Sequence, residues 1–392
     1  MDFSFNSDQL LVRDTVRQFM EAEMRPLLRE YDRTEKFPAK QVRRLGELGC
    51  CGMLIPEEYG GSATDTITYA LMIEEVARVC ASTAVTLSVT NSVAAAPILK
   101  HGTDTQKKKY LPRLAHGEVL GGFCLTEPGT GSDAAGIQTR AVPDGDSYII
   151  NGTKSWVTNG GVSGVYVVFA KTDPAAGSRG VTAFLVEPSF PGFRVSRYED
   201  KMGLRLSRSA EIVFEDCRVP VENLLGVEGQ GLRVALGALD GGRIGIAAQS
   251  VGVAQGAFEA AVRYAKQRRT FGHPIAEYQA IQWMIADMAT EIEAARALTH
   301  YAAGLRDVEQ ERRGADGDRS HVGPHSARAK LYASEMANRV CARAVQIHGS
   351  VGYSRETDVE RYYRDARVLT IYEGTSEMQR LVIARDLLRR SS

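Results

Sequence analysis

Apolar residues recur at helical spacing over the first third of the chain. A first amphipathic run carries Leu10, Val12, Val16, Phe19 and Met20 behind a capping Asn6 or Ser7. Further helical stretches are predicted at 38–49, 64–79, 83–99 and 104–115, with loops between them at Pro56 and Gly60–Gly61. The texture changes near Gly121. Tyr148–Ile150, Tyr166–Phe169, Val181–Val186 and Glu211–Phe214 are short β-prone runs, bounded by turn residues such as Asp144–Gly145 and Asn151–Gly152. Strands that follow one another without helices predict an antiparallel sheet or barrel, not a doubly wound fold. The helical period returns after Gly231 in long runs, 231–267, 276–306 and 325–348, and the charged, glycine-containing stretch Asp307–Gly323 reads as an exposed loop. The pattern therefore predicts an α+β protein: a helical domain over 1–120, a β-domain over 121–228 and a helical domain over 229–392.

Length agrees, since 392 residues exceed the usual size of one core. Lys plus Arg equals Asp plus Glu at 48 each, so no net field draws the chain to nucleic acid or an anionic membrane. The most apolar stretch, Thr83–Leu99, is broken by Ser88, Thr90, Asn91 and Ser92 and reads as a buried helix, not a membrane span. No basic region followed by an apolar one opens the chain, so no signal peptide is expected. Cysteines at 50, 51, 80, 124, 217 and 341 show neither CxxC nor Cys/His ligand spacing. That argues against a zinc site and a disulfide framework, and for reduced thiols in a cytoplasmic setting.

One short segment carries the strongest chemical signal. Tyr372-Glu-Gly-Thr-Ser-Glu377 puts a carboxylate, Glu373, on a glycine-containing turn before an amphipathic run, and Ser376 with Gln379 has the form of a capping box. A carboxylate on a loop at a helix entrance suits a general base; it would equally serve to complement the positive end of the helix. Elsewhere, Thr126–Ser132 offers hydroxyls and glycine amides for close approach to a ligand. Gly129-Thr-Gly131 and Gly229-Gln-Gly231 each lack the third glycine of a Rossmann loop. Asp240 and Arg243, three apart, share a helical face.

Taken with that segment, Phe-Cys-Leu-Thr-Glu-Pro-Gly-Thr-Gly-Ser-Asp (123–133), Trp-Val-Thr-Asn-Gly-Gly (156–161), Arg-Arg-Thr-Phe-Gly (268–272) and Gln-Ile-His-Gly (346–349) resemble, in order and spacing, the acyl-CoA dehydrogenase family from about residue 5 to 390. The resemblance implies a central antiparallel β-barrel between an N-terminal helical domain and a C-terminal four-helix bundle. It implies FAD, lined by Phe123, Leu125, Thr126, Gly131, Ser132, Trp156 and Thr158, with Arg268, Phe271, Gln279, Gln346, Gly349, Ser350, Thr375 and Glu377 as further contacts. Ser350 stands where the family usually has a second glycine. On the substrate side it implies Ser132, Asp240, Arg243 and Gly374, and it makes Glu373 the catalytic base, because the branch with its base on the Asp240 helix has glutamate where this chain has Gly242.

The implied reaction is α,β-dehydrogenation of a short- to medium-chain acyl-CoA, the enolate oxygen being met by the base's own amide and a ribityl hydroxyl. Val89–Pro97, with small Val93, Ala94, Ala95 and Ala96, would line the acyl pocket. An electron-transferring flavoprotein is the implied acceptor. A homotetramer is implied too, Arg268 and the glutamine–glycine segment reaching a neighbour's cofactor. An oxidase or monooxygenase on the same fold, or a carrier-protein thioester as substrate, are the alternatives.

Overall fold

The computed structural model describes residues 4–313 and 322–390. Its N-terminal part comprises α1 (Ser7–Phe19), α2 (Leu28–Thr34), α3 (Ala39–Glu47), α4 (Thr66–Val79), α5 (Ala81–Val89), α6 (Ala96–His101) and α7 (Asp104–Ala115). Asn6 is the cap that starts α1: its side chain accepts from the Gln9 amide while the Gln9 side chain accepts from its own N–H. A wide-turned segment, Thr90–Ala95, joins α5 to α6 without a break. Together they are apolar and long enough to cross a membrane, yet are mostly buried inside the protein. Hydroxyls survive there because they are bonded locally: Thr86 to the Ser82 carbonyl, Thr90 to Thr86 and Ser92 to Ser88 each bond back one turn, and Ser88 pairs with Tyr69.

The central sheet holds β1 (Leu120–Cys124), β2 (Arg140–Asp144), β3 (Ser147–Thr158), β4 (Ser163–Lys171), β5 (Val181–Val186), β6 (Phe193–Tyr198), β7 (Ser209–Pro220) and β8 (Leu224–Leu225). Its order is β6-β7-β3-β2-β4-β5-β8, with β1 beside β4. Pairing is antiparallel as expected, except that β4 is met in parallel by β1 along its length and by β2 at Arg140–Lys171. Asp144–Gly145 makes the expected hairpin, but Asn151–Gly152 is no turn. It lies inside β3 at a bulge opposite β7, where the Asn151 side chain binds Asp216 and Gly152 leaves no room for a Cβ against Thr139.

The C-terminal part begins with α8 (Gly231–Gln267), followed by the small hairpin β9 (Arg269–Thr270) and β10 (His273–Pro274), then α9 (Gln279–Arg313), α10 (Val322–His348), α11 (Asp358–Arg367) and α12 (Ser376–Arg390). The helix α10 packs along α8, α9 and α12, and α8 in turn packs on α4. Gly252 and Gly256 bring α8 so near α4 that a Cβ would strike the Glu74 and Arg78 carbonyls. The predicted loop Asp307–Gly323 needs correction at both ends. Asp307–Arg313 prolong α9, being mostly good helix formers, and Val322–Gly323 open α10; Gly314–His321 lie outside the described residues.

One buried ion pair shapes the loop after β1. Lys154 Nζ, fully buried, donates to Glu127 Oε1 (2.8 Å) and to the Leu125 carbonyl (3.1 Å). The Glu127 carboxylate also accepts from the Gln138 and Thr139 amides. Breaking such a pair strands a charge. Glu127→Ala should therefore lose about 3–5 kcal/mol of stability in chemical denaturation; a loss below about 1 kcal/mol would show that the pair does not hold this loop.

Candidate active site

Glu373 stands where three helices and one tight turn converge. The turn, between α11 and α12, is left-handed at both Glu373 (φ 49) and Gly374 (φ 89). For a residue with a side chain that conformation is strained unless neighbours impose it. Here they do. Gln379 Nε2 donates to the Glu373 carbonyl (3.2 Å) and the Gly374 carbonyl (2.9 Å), and Lys330 Nζ donates to the same Gly374 carbonyl (2.7 Å). Tyr372 OH donates to Gln249 Oε1 (2.5 Å), whose Nε2 donates to the Ala81 carbonyl, so the turn is also tied to α8 and α5. The cap of α12 differs from expectation. Thr375, not Ser376, accepts from the Met378 amide, and Gln379 is used to hold the turn instead of closing a capping box.

The carboxylate lies over α8 at Gly242, where a Cβ would come within 1.9 Å of Glu373 Oε2. That oxygen is sealed from solvent and has no hydrogen-bond partner. Burial raises the Glu373 pKa to about 7, against the opposing positive charges of Lys330 and Arg243. A carboxylate serving only as a complement to the helix end would stay solvated and acidic. This one is neither. Close by on α8, Arg243 Nη1 pairs with Asp240, while its Nε is buried and unpartnered. Burial raises the Asp240 pKa, opposed mainly by Arg243.

A second group gathers at the end of β1. Phe123 packs edge-on against Phe169 (5.0 Å), and Leu125 and Thr126 follow it. The Ser155 amide donates to the Thr126 carbonyl (2.9 Å), which brings Trp156 and Thr158 of β3 alongside. Trp156 is no core residue: at a bulge with φ 59 its side chain turns outward and stays 60 % exposed. The Glu127–Thr130 turn leaves Gly129, Gly131 and Ser132 at the surface, a Cβ at either glycine would meet nothing, and Thr130 Oγ1 is enclosed without a partner.

Six predicted contacts lie at the other end of α8 from Glu373. Arg268, Phe271 and Gln279 project from the segment after α8, Phe271 being 95 % exposed, and Gln346, Gly349 and Ser350 are exposed at the end of α10. Stacking of Tyr264 on His348 (4.2 Å) joins these two ends. Arg268 follows the last residue of α8, so it lies roughly 37 Å along the axis from Arg243 at 1.5 Å per residue. Ser350 costs nothing here: the positive φ falls on Gly349, and the serine is exposed. Thr375 is half-buried at the turn and Glu377 exposed beyond it. Lys330 went unnoticed in the sequence, and Gln379 was read there only as the partner of Ser376 in a capping box. The available signal for Lys330 was its place on the apolar face of α10 with Ser326, Ala333 and Ala337.

The helical parts and the sheet thus carry two candidate surfaces, an enclosed carboxylate over α8 and an open wall at the end of β1 with an outward tryptophan. The N-terminal, middle and C-terminal domains of acyl-CoA dehydrogenase match residues 6–118, 122–217 and 229–388, so this chain belongs to the acyl-CoA dehydrogenase family. It is 46 % identical over 389 residues to the short-chain specific acyl-CoA dehydrogenase of Clostridium acetobutylicum, covering 99 % of this chain and all of that one. Butyryl-CoA dehydrogenase from Megasphaera elsdenii superposes with a TM-score of 0.94 at 43 % identity, over 99 % of this chain and 100 % of that one. A chain from a structure described as the electron-transferring flavoprotein of Acidaminococcus fermentans gives 0.96 at 46 % identity, over 99 % and 100 %. The protein is thus a flavoprotein oxidoreductase that takes FAD and acts on acyl-CoA. The residues present fit FAD: an outward tryptophan, open glycine backbone at 129 and 131, and an unpartnered buried hydroxyl at Thr130.

Gly242→Ala tests the cradle. The new methyl must push the carboxylate end of Glu373, a flexible group, so the fold should survive while kcat falls about 100-fold, as for a reacting group misplaced by about 1 Å. Turnover within twofold of the parent, at unchanged melting temperature, would refute the placement.

Proposed function

We propose that Glu373 is the base that removes the α-proton of a short-chain acyl-CoA, the single carrying observation being its enclosed, unpartnered Oε2 over Gly242. A thioester α-proton is weakly acidic, so the base must be ionised yet strongly basic. Burial supplies basicity, and the charges of Lys330 and Arg243 keep ionisation within reach near neutrality. The Glu373 N–H finds no acceptor among the described residues, which leaves it free to donate to the thioester oxygen as enolate charge develops. Gly374 next to it leaves room for Gln379 to hold the turn, and Asp240 and Arg243, paired on the helix that carries Gly242, would meet the coenzyme portion. FAD, when bound, accepts the β-hydrogen with its electron pair. Thr126, Trp156 and Thr158 would hold its ring system in place, with Phe123, Leu125, Gly131 and Ser132 around it.

A short acyl group is supported by how the helix α5–α6 spends its small residues. Ala94 is pressed against Gly121, Asn91 is tied to the Cys50 carbonyl, and Ala95 packs into a core cluster with Ile98 and Leu114. The same stretch would have to open to admit a longer chain. Relatives named for short-chain substrates and for butyryl-CoA point the same way.

A homotetramer is the assembly we favour, because Arg268, Phe271, Gln279, Gln346 and Gly349 are exposed at the end of α8 remote from Glu373, open to a neighbouring copy. Arg268 has the planar donor fork suited to a pyrophosphate. An electron-transferring flavoprotein as acceptor is supported by the Acidaminococcus relative. A cytoplasmic location is supported by six cysteines that are all buried and free.

Two experiments test this. Anaerobic titration with acyl-CoA thioesters should bleach the flavin best at about four carbons, and Glu373→Gln should abolish bleaching while keeping flavin. In the parent the rate should rise with pH through about 7, because the base acts only when ionised. Failure of every thioester would overturn the substrate, and bleaching by the glutamine variant would overturn the base. Separately, Arg268→Ala should lose FAD on gel filtration with its own turn intact; full flavin retention, or a monomeric parent in sedimentation, would refute the shared site.

A further inference from the structure

Beside the turn lies a buried cation whose hydrogen bond does not by itself explain its charge. Lys330 is 0 % exposed, on the inward face of α10, and its hydrogen bond is to the Gly374 carbonyl at 2.7 Å. Among the described residues no carboxylate lies within ion-pair distance of its ammonium. Burying an ammonium for one neutral carbonyl is costly, and a neutral amide donor would staple the turn at less expense. A charge in such a place is favourable only if a negative group faces it across the site.

The surroundings identify that group. Around Lys330 are Glu373 on the turn, Arg243 on α8, Glu377 on α12 and Glu335 on its own helix; Tyr69 of α4 and Tyr372 face Glu373 as well. Arg243 is committed to Asp240 and Glu335 to Arg380, and Glu377 is exposed. That leaves the Glu373 carboxylate as the enclosed anion free to use the lysine. We propose that Lys330 is the positioning residue of the base: it locks the Gly374 carbonyl, and so the left-handed turn that aims Glu373, and it sets against the ionised carboxylate a buried charge that never touches it. Direct contact would make the carboxylate a poor base; absence of the charge would leave it protonated. Standing off by one peptide gives an anion that forms near neutral pH and still abstracts a weakly acidic proton. The electrostatic balance agrees, since the lysine is the foremost positive influence on Glu373, and burial lowers the lysine's own pKa to about 8.

This inference rests on Glu373 being the base, so its test uses a thioester already shown to bleach the parent flavin, and bleaching by Glu373→Gln would remove the premise without touching the comparison below. Lys330→Gln keeps a donor to the Gly374 carbonyl but loses the charge; Lys330→Arg keeps the charge. The acid limb of kcat should move up by about one pH unit in Lys330→Gln, since a nearby opposite charge lowers a carboxylate pKa by one to three units. The rate should then be roughly tenfold low on the acid side and recover at alkaline pH, with flavin content and KM near the parent's. Lys330→Arg should restore the parent limb. A purely structural lysine would instead lower kcat by one factor at every pH, and an unmoved limb in folded, flavin-bearing Lys330→Gln would overturn the proposal. Should that variant not fold, a limb displaced by a full unit in charge-retaining Lys330→Arg would overturn it equally, and an unmoved one would support it.

Discussion

One carboxylate oxygen kept from water without a partner is the constraint around which the site is arranged. Leaving Glu373 Oε2 unsatisfied is unfavourable, and the fold sustains it through groups that do not contact that oxygen. Gln379 and Lys330 hold the two carbonyls of its turn, Tyr372 ties the turn to Gln249, and Gly242 withdraws the Cβ that would occupy its place. Strain and desolvation collect at one residue because several well-bonded neighbours impose them.

The long helix α8 gives that site its frame and also its incompleteness. Close packing on α4 through Gly252 and Gly256 makes it rigid, so residues along it keep fixed separations. Gly242 and Arg243 serve the base near one end, while Arg268 and the exposed Phe271 emerge beyond the other. The homotetramer proposed above assigns that far end to the cofactor of a second copy.

The cofactor wall depends on a different device. Lys154 and Glu127, buried together, fix the backbone at Leu125 and the turn to Thr130, while the bulge in β3 swings Trp156 outward beside it. Polar groups inside the protein are in general satisfied locally, as with the back-bonded hydroxyls of α5. Three of the groups left unsatisfied, Thr130 Oγ1, Arg243 Nε and Glu373 Oε2, lie at the site, where a ligand can meet them.

Much was legible in the residues themselves. Apolar spacing located the helices and strands, because each element buries one face with its own period, and four motifs in register identified the family and singled out Glu373. Local chemistry misled where tertiary contacts outweighed it: Asn151–Gly152 runs through a strand because Asp216 and Thr139 claim it, and Asp307–Arg313 continues a helix although it is polar. The capping pattern at Ser376 failed for the same reason, Gln379 being drawn to the carbonyls of the turn. The sequence by itself therefore determined the main elements, their order and the family, and pointed to the residue proposed as the base. Only the tertiary structure decided what surrounds that base, because burial and stand-off charge arise between residues distant in the chain, and no local pattern encodes them. Lys330, 43 positions before Glu373, is the plainest case.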